Sequence, residues 1–160
     1  IGDANWIATN NTATSTNESG TGFLVSANRF DNFELTVEFK PDTKVNSGIL
    51  VRCQDPLSIK PTNCYEINIW DSHPNQDYRT GAIVIHSYPP FEHLDSVDQW
   101  NQYRIVAQEN KINVWLNDQL TARMTNADVS TGHIALQSTG GAIQFRNLSI
   151  KTIPKQTIQP

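Results

Sequence analysis

Glu66, Asn68 and Trp70 stand two residues apart in the run Tyr65-Glu66-Ile67-Asn68-Ile69-Trp70-Asp71. On an extended strand successive side chains point to opposite faces, so these three share one face and Tyr65, Ile67 and Ile69 the other. A carboxylate and a carboxamide side by side grip vicinal hydroxyls with paired hydrogen bonds, and an indole packs against the C–H face of a pyranose ring. The face suits a sugar. The same pattern also fits a strand whose polar side only meets water.

Asp71 follows, opening the polar loop Ser72-His73-Pro74-Asn75-Gln76-Asp77. An acid and a base flanking a glycosidic bond cleave it by protonating the leaving oxygen and activating water, which makes Glu66 and Asp71 a candidate pair. Their parities are opposite, so the two carboxylates converge only if the chain bends at Trp70. His86 and His133 are the other chemical suspects, each able to bind metal or move a proton, although a lone histidine on a strand is more often a packed residue. His73 and His93 sit in loops. Asp71 and Asp77 offer oxygen ligands to calcium, but without the spacing of a calcium loop, and no cofactor is expected.

These residues need strands to hold them. Phe33, Leu35, Val37 and Phe39 alternate with Glu34, Thr36, Glu38 and Lys40, the signature of a half-buried strand. Tyr103 to Ala107 and Ile112 to Leu116 follow the same rule. Shorter runs lie at Gly48 to Gln54, Ala82 to His86, His133 to Gln137 and Ile143 to Ile150. Turn residues such as Glu109-Asn110, Asn117-Asp118 and Gly140-Gly141 separate them. Within the last run the apolar parity switches around Arg146-Asn147, which predicts a β-bulge. Many short strands with polar turns and no helical period predict an all-β, two-sheet antiparallel sandwich. Trp100, Tyr103, Arg104 and Trp115 follow the alternation and are assigned to packing.

The 160 residues suit one domain spanning 1–160, with a segment 1–20 that forms an edge strand or stays loose and an extended tail at 151–160. A formal charge of −4 without a lysine or arginine cluster argues against a nucleic-acid partner, and no apolar run reaches the ~18 residues of a membrane span. The chain starts at Ile1, as a processed form or a piece of a longer protein would. Cys53 and Cys64, the only cysteines, flank a short loop between strand-like runs. A disulfide there would contribute about 2–3 kcal/mol and imply an oxidising compartment; two buried thiols are the alternative.

Several ordered motifs carry a family resemblance over nearly the whole chain. They are Asn46-Ser47-Gly48-Ile49 followed by Arg52, the Tyr65 to Asp71 run, Thr80-Gly81-Ala82-Ile83, Trp100-Asn101-Gln102-Tyr103-Arg104-Ile105, Trp115-Leu116-Asn117, Gly132-His133-Ile134-Ala135-Leu136-Gln137 and Phe145-Arg146-Asn147-Leu148. In this order they resemble the 3-keto-disaccharide hydrolase domain family, a branch of the concanavalin A-like lectin and glucanase superfamily. The resemblance implies a jelly roll of two curved antiparallel sheets, exported to the periplasm or outside the cell. It also implies activity on mono-, di- or oligosaccharide ligands, specifically glycosides oxidised to a ketone at carbon 3. Such a ketone acidifies the C2 hydrogen, so one base and one oxyanion stabiliser suffice for elimination. Glu66 is the candidate base and Arg52, matching a family arginine, the candidate stabiliser. Arg52 otherwise reads as a structural ion-pair partner. Asp71 matches the acid that closes the family motif, and Asn68, Trp70, His86 and Gln137 are candidate ligand contacts. Many members carry Gln-Asp-His-Gly where this chain has Gln137-Ser138-Thr139-Gly140, and commonly glutamine in place of Asn68. Those departures, with the short chain, leave open a non-catalytic carbohydrate-binding module.

Overall fold

A computed structural model of the chain describes residues 1–16, 20–88 and 95–155. Within them run eleven strands: β1 (Trp6–Thr9), β2 (Thr12–Ser15), β3 (Thr21–Val25), β4 (Phe33–Pro41), β5 (Asn46–Cys53), β6 (Tyr65–Ile69), β7 (Asn101–Gln108), β8 (Lys111–Leu116), β9 (Gln119–Met124), β10 (His133–Thr139) and β11 (Ile143–Thr152). One 3-10 turn, Gln76–Tyr78, interrupts them, and no helix among the described residues is long and apolar enough to cross a membrane. Seven strands form one sheet in the order β1-β2-β11-β4-β7-β8-β9, and four form the other, β3-β10-β5-β6. All pairings between named strands are antiparallel. The fold is the expected two-sheet jelly-roll sandwich.

The alternating residues of β4 give the reason. Phe33, Leu35, Val37 and Phe39 are all but inaccessible and meet Ile49, Val51, Ile67 and Ile69 of the opposite sheet in one core. Burial of each such side chain contributes about 1.5–3 kcal/mol. Tight turns close the hairpins where the sequence has turn residues: Asn117 and Asp118 both take positive φ between β8 and β9, as do Asn10 and Asn11 between β1 and β2. The N-terminal segment thus supplies an edge hairpin. The parity switch in β11 is a bulge between Arg146 and Ser149, with Asn147 at φ 51. Ala82 to His86 departs from the strand reading: Ile83 bridges Ile67, and the chain then turns back through Ile85 at φ 63. Trp100 and Trp115 lie under the guanidinium groups of Arg146 and Arg104, at 3.8 and 4.4 Å.

Candidate active site

β5 and β6 are buried along nearly their whole length, on the outer face as well as the inner. The outer face of β6 therefore does not meet bulk water. Glu66 keeps 7% of its surface accessible and Asn68 3%. Leu50 lies directly beside Glu66 in the register, with Ala135 beyond it, and Val84 donates its N–H to the Glu66 carbonyl from the other side. Leu50 and Ala135 belong to a second apolar cluster with Ile59 and the Cys53–Cys64 disulfide, which forms as expected. The bridge pins the loop 54–63 over this end of the sheet.

Among the described residues the Glu66 carboxylate has neither an ion-pair nor a hydrogen-bond partner. Burial alone pushes its pKa from the usual 4.5 up to about 7. Gln137 stands two strands away, across Gly48. Its Oε1 is buried without a hydrogen-bond partner. A methyl group placed on Gly48 would lie 3.2 Å from Gln137 Oε1 and 3.3 Å from Glu66 Oε1, so both oxygens close on one point above a bare stretch of backbone. Glycine inside a strand marks a close approach. A ligand hydroxyl brought to that point can donate to one or other of the two oxygens. Gly48 was within a quoted motif but not among the expected site residues; an interior strand glycine beside Glu66 was its only sequence signal.

Asn68 is held from three sides. Its side chain donates to the Tyr78 carbonyl and accepts from the Ile69 N–H, while Tyr103, reaching across the core, donates to the Asn68 carbonyl at 2.5 Å. Trp70 is half-buried on the same side, with the His73 ring packed against it at 4.4 Å.

The remaining expected site residues are brought elsewhere. Strict alternation would put Arg52 on the face of Gly48 and Leu50. Instead, β5 takes three steps from Leu50 to Cys53 while β10 takes two from Ala135 to His133, a bulge that sets Arg52 at φ 55. Gly132 is required opposite it, since a Cβ there would meet the Arg52 carbonyl carbon at 2.2 Å. The guanidinium turns into the end of the sandwich and donates to the carbonyls of Glu109, Val129 and Asp31 at 2.8–3.2 Å. Asp71 accepts from Thr80 Oγ1 and from the Ser96 N–H and Oγ, both at 2.7 Å, tying the end of β6 to the loop at 95–98. It lines a cleft of about 610 Å³ with Asp42, Asp95 and Asp98, and does not pair with Glu66. His86 is exposed beside Tyr65, in a separate cleft of about 330 Å³ with Arg52 and Asp128. His133 bonds the Ser26 carbonyl, and His93 lies outside the described residues. Asp77 sits exposed in the 3-10 turn, and among the described residues no three His, Cys, Asp or Glu side chains are placed to hold a metal ion. Ser138 faces the core, bonded to Ser15, and Thr139 the outer face, so the departure at 138–139 touches both sides of β10.

Comparison with known structures agrees with this architecture. A candidate glycosyl hydrolase from Parabacteroides distasonis superposes with a TM-score of 0.81 at 25% identity, over 95% of this chain and 93% of that one. A carbohydrate binding module from Bacillus subtilis follows at 0.72 and 14% identity, over 94% and 92%. A β-glucanase from Bacillus licheniformis gives 0.60 and 14%, over 89% and 79%. The last two share the fold. A search of curated proteins returns no match. The family described as the 3-keto-alpha-glucoside-1,2-lyase-like domain matches residues 2–151, and the chain belongs to it.

Proposed function

We propose that the chain cleaves 3-keto-glycosides by elimination, with Glu66 as the base. The observation that supports this reading most is the buried, partnerless Glu66 carboxyl beside the orphaned Gln137 Oε1. A carboxyl raised to about 7 is balanced between holding and releasing a proton near neutrality, as a general base must be. Glu66 takes the C2 proton, whose acidity the neighbouring ketone provides. The electron pair forms the C1–C2 double bond, the C1–O bond breaks, and the leaving oxygen is protonated from solvent. Water adding across the new double bond gives the free 3-keto sugar. The enolate oxygen needs a donor, and the Gln137 amide supplies one when it is turned end for end so that Nε2 takes the place of Oε1 over Gly48, with the Asn68 frame fixing the strand beside it. Arg52 supports the reaction at a distance, by fixing the bulged end of β5. Export fits the Cys53–Cys64 bridge.

A second reading, a sugar-binding module without catalysis, is favoured by one observation: Asp71 is engaged by Thr80 and Ser96, so Glu66 lacks a carboxyl partner. Incubation with 3-keto-trehalose and with trehalose separates the two. Release of sugar from the keto substrate alone, lost in Glu66→Gln, is the expected result. Binding of the keto disaccharide with no release assigns the chain to the second reading.

A further inference from the structure

The outer face of the four-stranded sheet is a grid, with rows of side chains about 6.8 Å apart along the strands. The row holding Glu66 is closed, because Leu50 and Ala135 lie under Ile59 and the disulfide. The next row is the Gly48 gap between Gln137 and Asn68. A sugar ring seated over Gly48, with its reacting carbons at Glu66, therefore extends only toward the third row.

That row runs across three strands through Thr21, Thr139 and Asn46, and Trp70, the residue after β6, continues it beyond Asn46. It is open, with Thr21 exposed and the other three half-buried. The Thr139 and Thr21 hydroxyls meet at 3.0 Å, which places both on this face. Among the described residues the Asn46 carboxamide has no hydrogen-bond partner, and His73 fixes the indole of Trp70. Two strand spacings make the paired part of the row roughly 10 Å long, longer than one pyranose ring, before Trp70 extends it. It offers two hydroxyls, a free amide and an indole, and no charge. An apolar aglycone would strand the amide unpaired, and an anionic sugar would find no cation among the row's own side chains.

We propose that this row is the subsite for the second ring, an uncharged sugar lying beyond the scissile bond. The inference rests on the reading of Glu66 as base, which orients the substrate. It is tested by binding, so that it can fail separately. In a Glu66→Gln background, the affinities of 3-keto-trehalose and methyl 3-keto-α-glucoside are compared by calorimetry. The second ring is expected to add about tenfold or more in affinity. Trp70→Ala or Asn46→Ala should reduce that ratio to about two or less, leaving the affinity for the methyl glycoside unchanged. Trp70→Phe, which keeps a ring, should retain part of the ratio and separates a lost platform from a lost fold. Equal binding of the two ligands, a ratio that survives both substitutions, or no binding of either ligand would overturn the proposal. A ratio that collapses as expected in a protein whose native form releases no sugar would retain this subsite and discard the base.

Discussion

Arg52 and Glu66 are both charged residues on neighbouring strands of one sheet, both almost without access to solvent, and the protein treats them in opposite ways. Arg52 delivers its guanidinium to three main-chain carbonyls at the end of the sandwich. Glu66 has no donor turned toward it, and its carboxyl is moved toward neutrality by burial alone. A buried charge whose terminal nitrogens are taken up by main-chain carbonyls is held for structure. One without partners raises the energy of the free protein, and the sequence retains it where a ligand can supply what is missing.

The sharpest way to break this contrast is to neutralise each residue in turn. Glu66→Gln is expected to cut turnover of a 3-keto-disaccharide by about 10²- to 10⁴-fold, the usual reach of a general base, with thermal unfolding no lower than in the native protein. Arg52→Met should do the reverse. It removes the charged donor from three part-buried carbonyls and should cost about 1.5–3 kcal/mol of stability by denaturant titration. Any protein that remains folded should keep its base. A Glu66→Gln protein that unfolds as readily as Arg52→Met would erase the distinction.

The pH dependence of the native protein follows from the same asymmetry. A carboxyl with a folded pKa of about 7 against an ordinary 4.5 favours the folded state fully only below about pH 4.5. That contribution declines as pH rises and is gone above about 7, a difference of about 3 kcal/mol. Glu66→Gln should therefore flatten the stability profile between pH 4.5 and 7. The activity of the native protein should rise through about pH 7 as the carboxylate forms. A kcat/KM already at its plateau by pH 5 would show that Glu66 ionises as an ordinary glutamate.

Much of this was legible in the sequence. Alternation located β4, β7 and β8, and the parity switch at Arg146-Asn147 located the β11 bulge, because a period of two is imposed by the pleat itself. Glu66 and Asn68 share a face for the same reason, whereas Gln137, two strands away, entered only through the family resemblance and is brought to that face by the strand pairing. Arg52 was not placed by parity. One inserted residue in β5 reverses its direction, and what leaves room for the bulge is Gly132, some eighty positions along the chain. Asp71 escaped for a related reason: Thr80 and Ser96, which occupy it, come from loops without any pattern. The burial of Glu66 was equally hidden, since its cover is assembled from Leu50, Ala135 and Ile59, and only packing brings these together.

Gly48 offers a finer test than either charge. Gly48→Ala adds a single methyl group at ordinary strand dihedrals, 3.2 and 3.3 Å from the two functional oxygens and 3.1 Å from the Ile67 carbonyl. Two of these neighbours are ends of side chains, so the fold should accommodate it with a shift of a few tenths of an ångström. Catalysis should not: kcat/KM is expected to fall by about ten- to a hundredfold, since the substrate ring is lifted from Glu66. Unchanged kinetics would mean that nothing is bound over this backbone.

The smallest effect concerns the cover over Glu66. Cys53 and Cys64 join the end of β5 to the start of β6 and hold the loop carrying Ile59 against Leu50. A Cys53→Ala/Cys64→Ala protein should lose about 2–3 kcal/mol of stability, by the ordinary cost of opening a short cross-linked loop. A chain stapled only for stability would show nothing more. If the loop also excludes water from Glu66, its release lowers the desolvation that raises the carboxyl, and the activity midpoint should move toward acid by up to about one pH unit. Arg52, whose partners are main-chain carbonyls at the other side of the bulge, should keep them in the same protein. The midpoint therefore reports on the carboxyl separately from the fold, and a midpoint that stays near 7 would assign the burial of Glu66 to Leu50 and Ala135 without help from the loop.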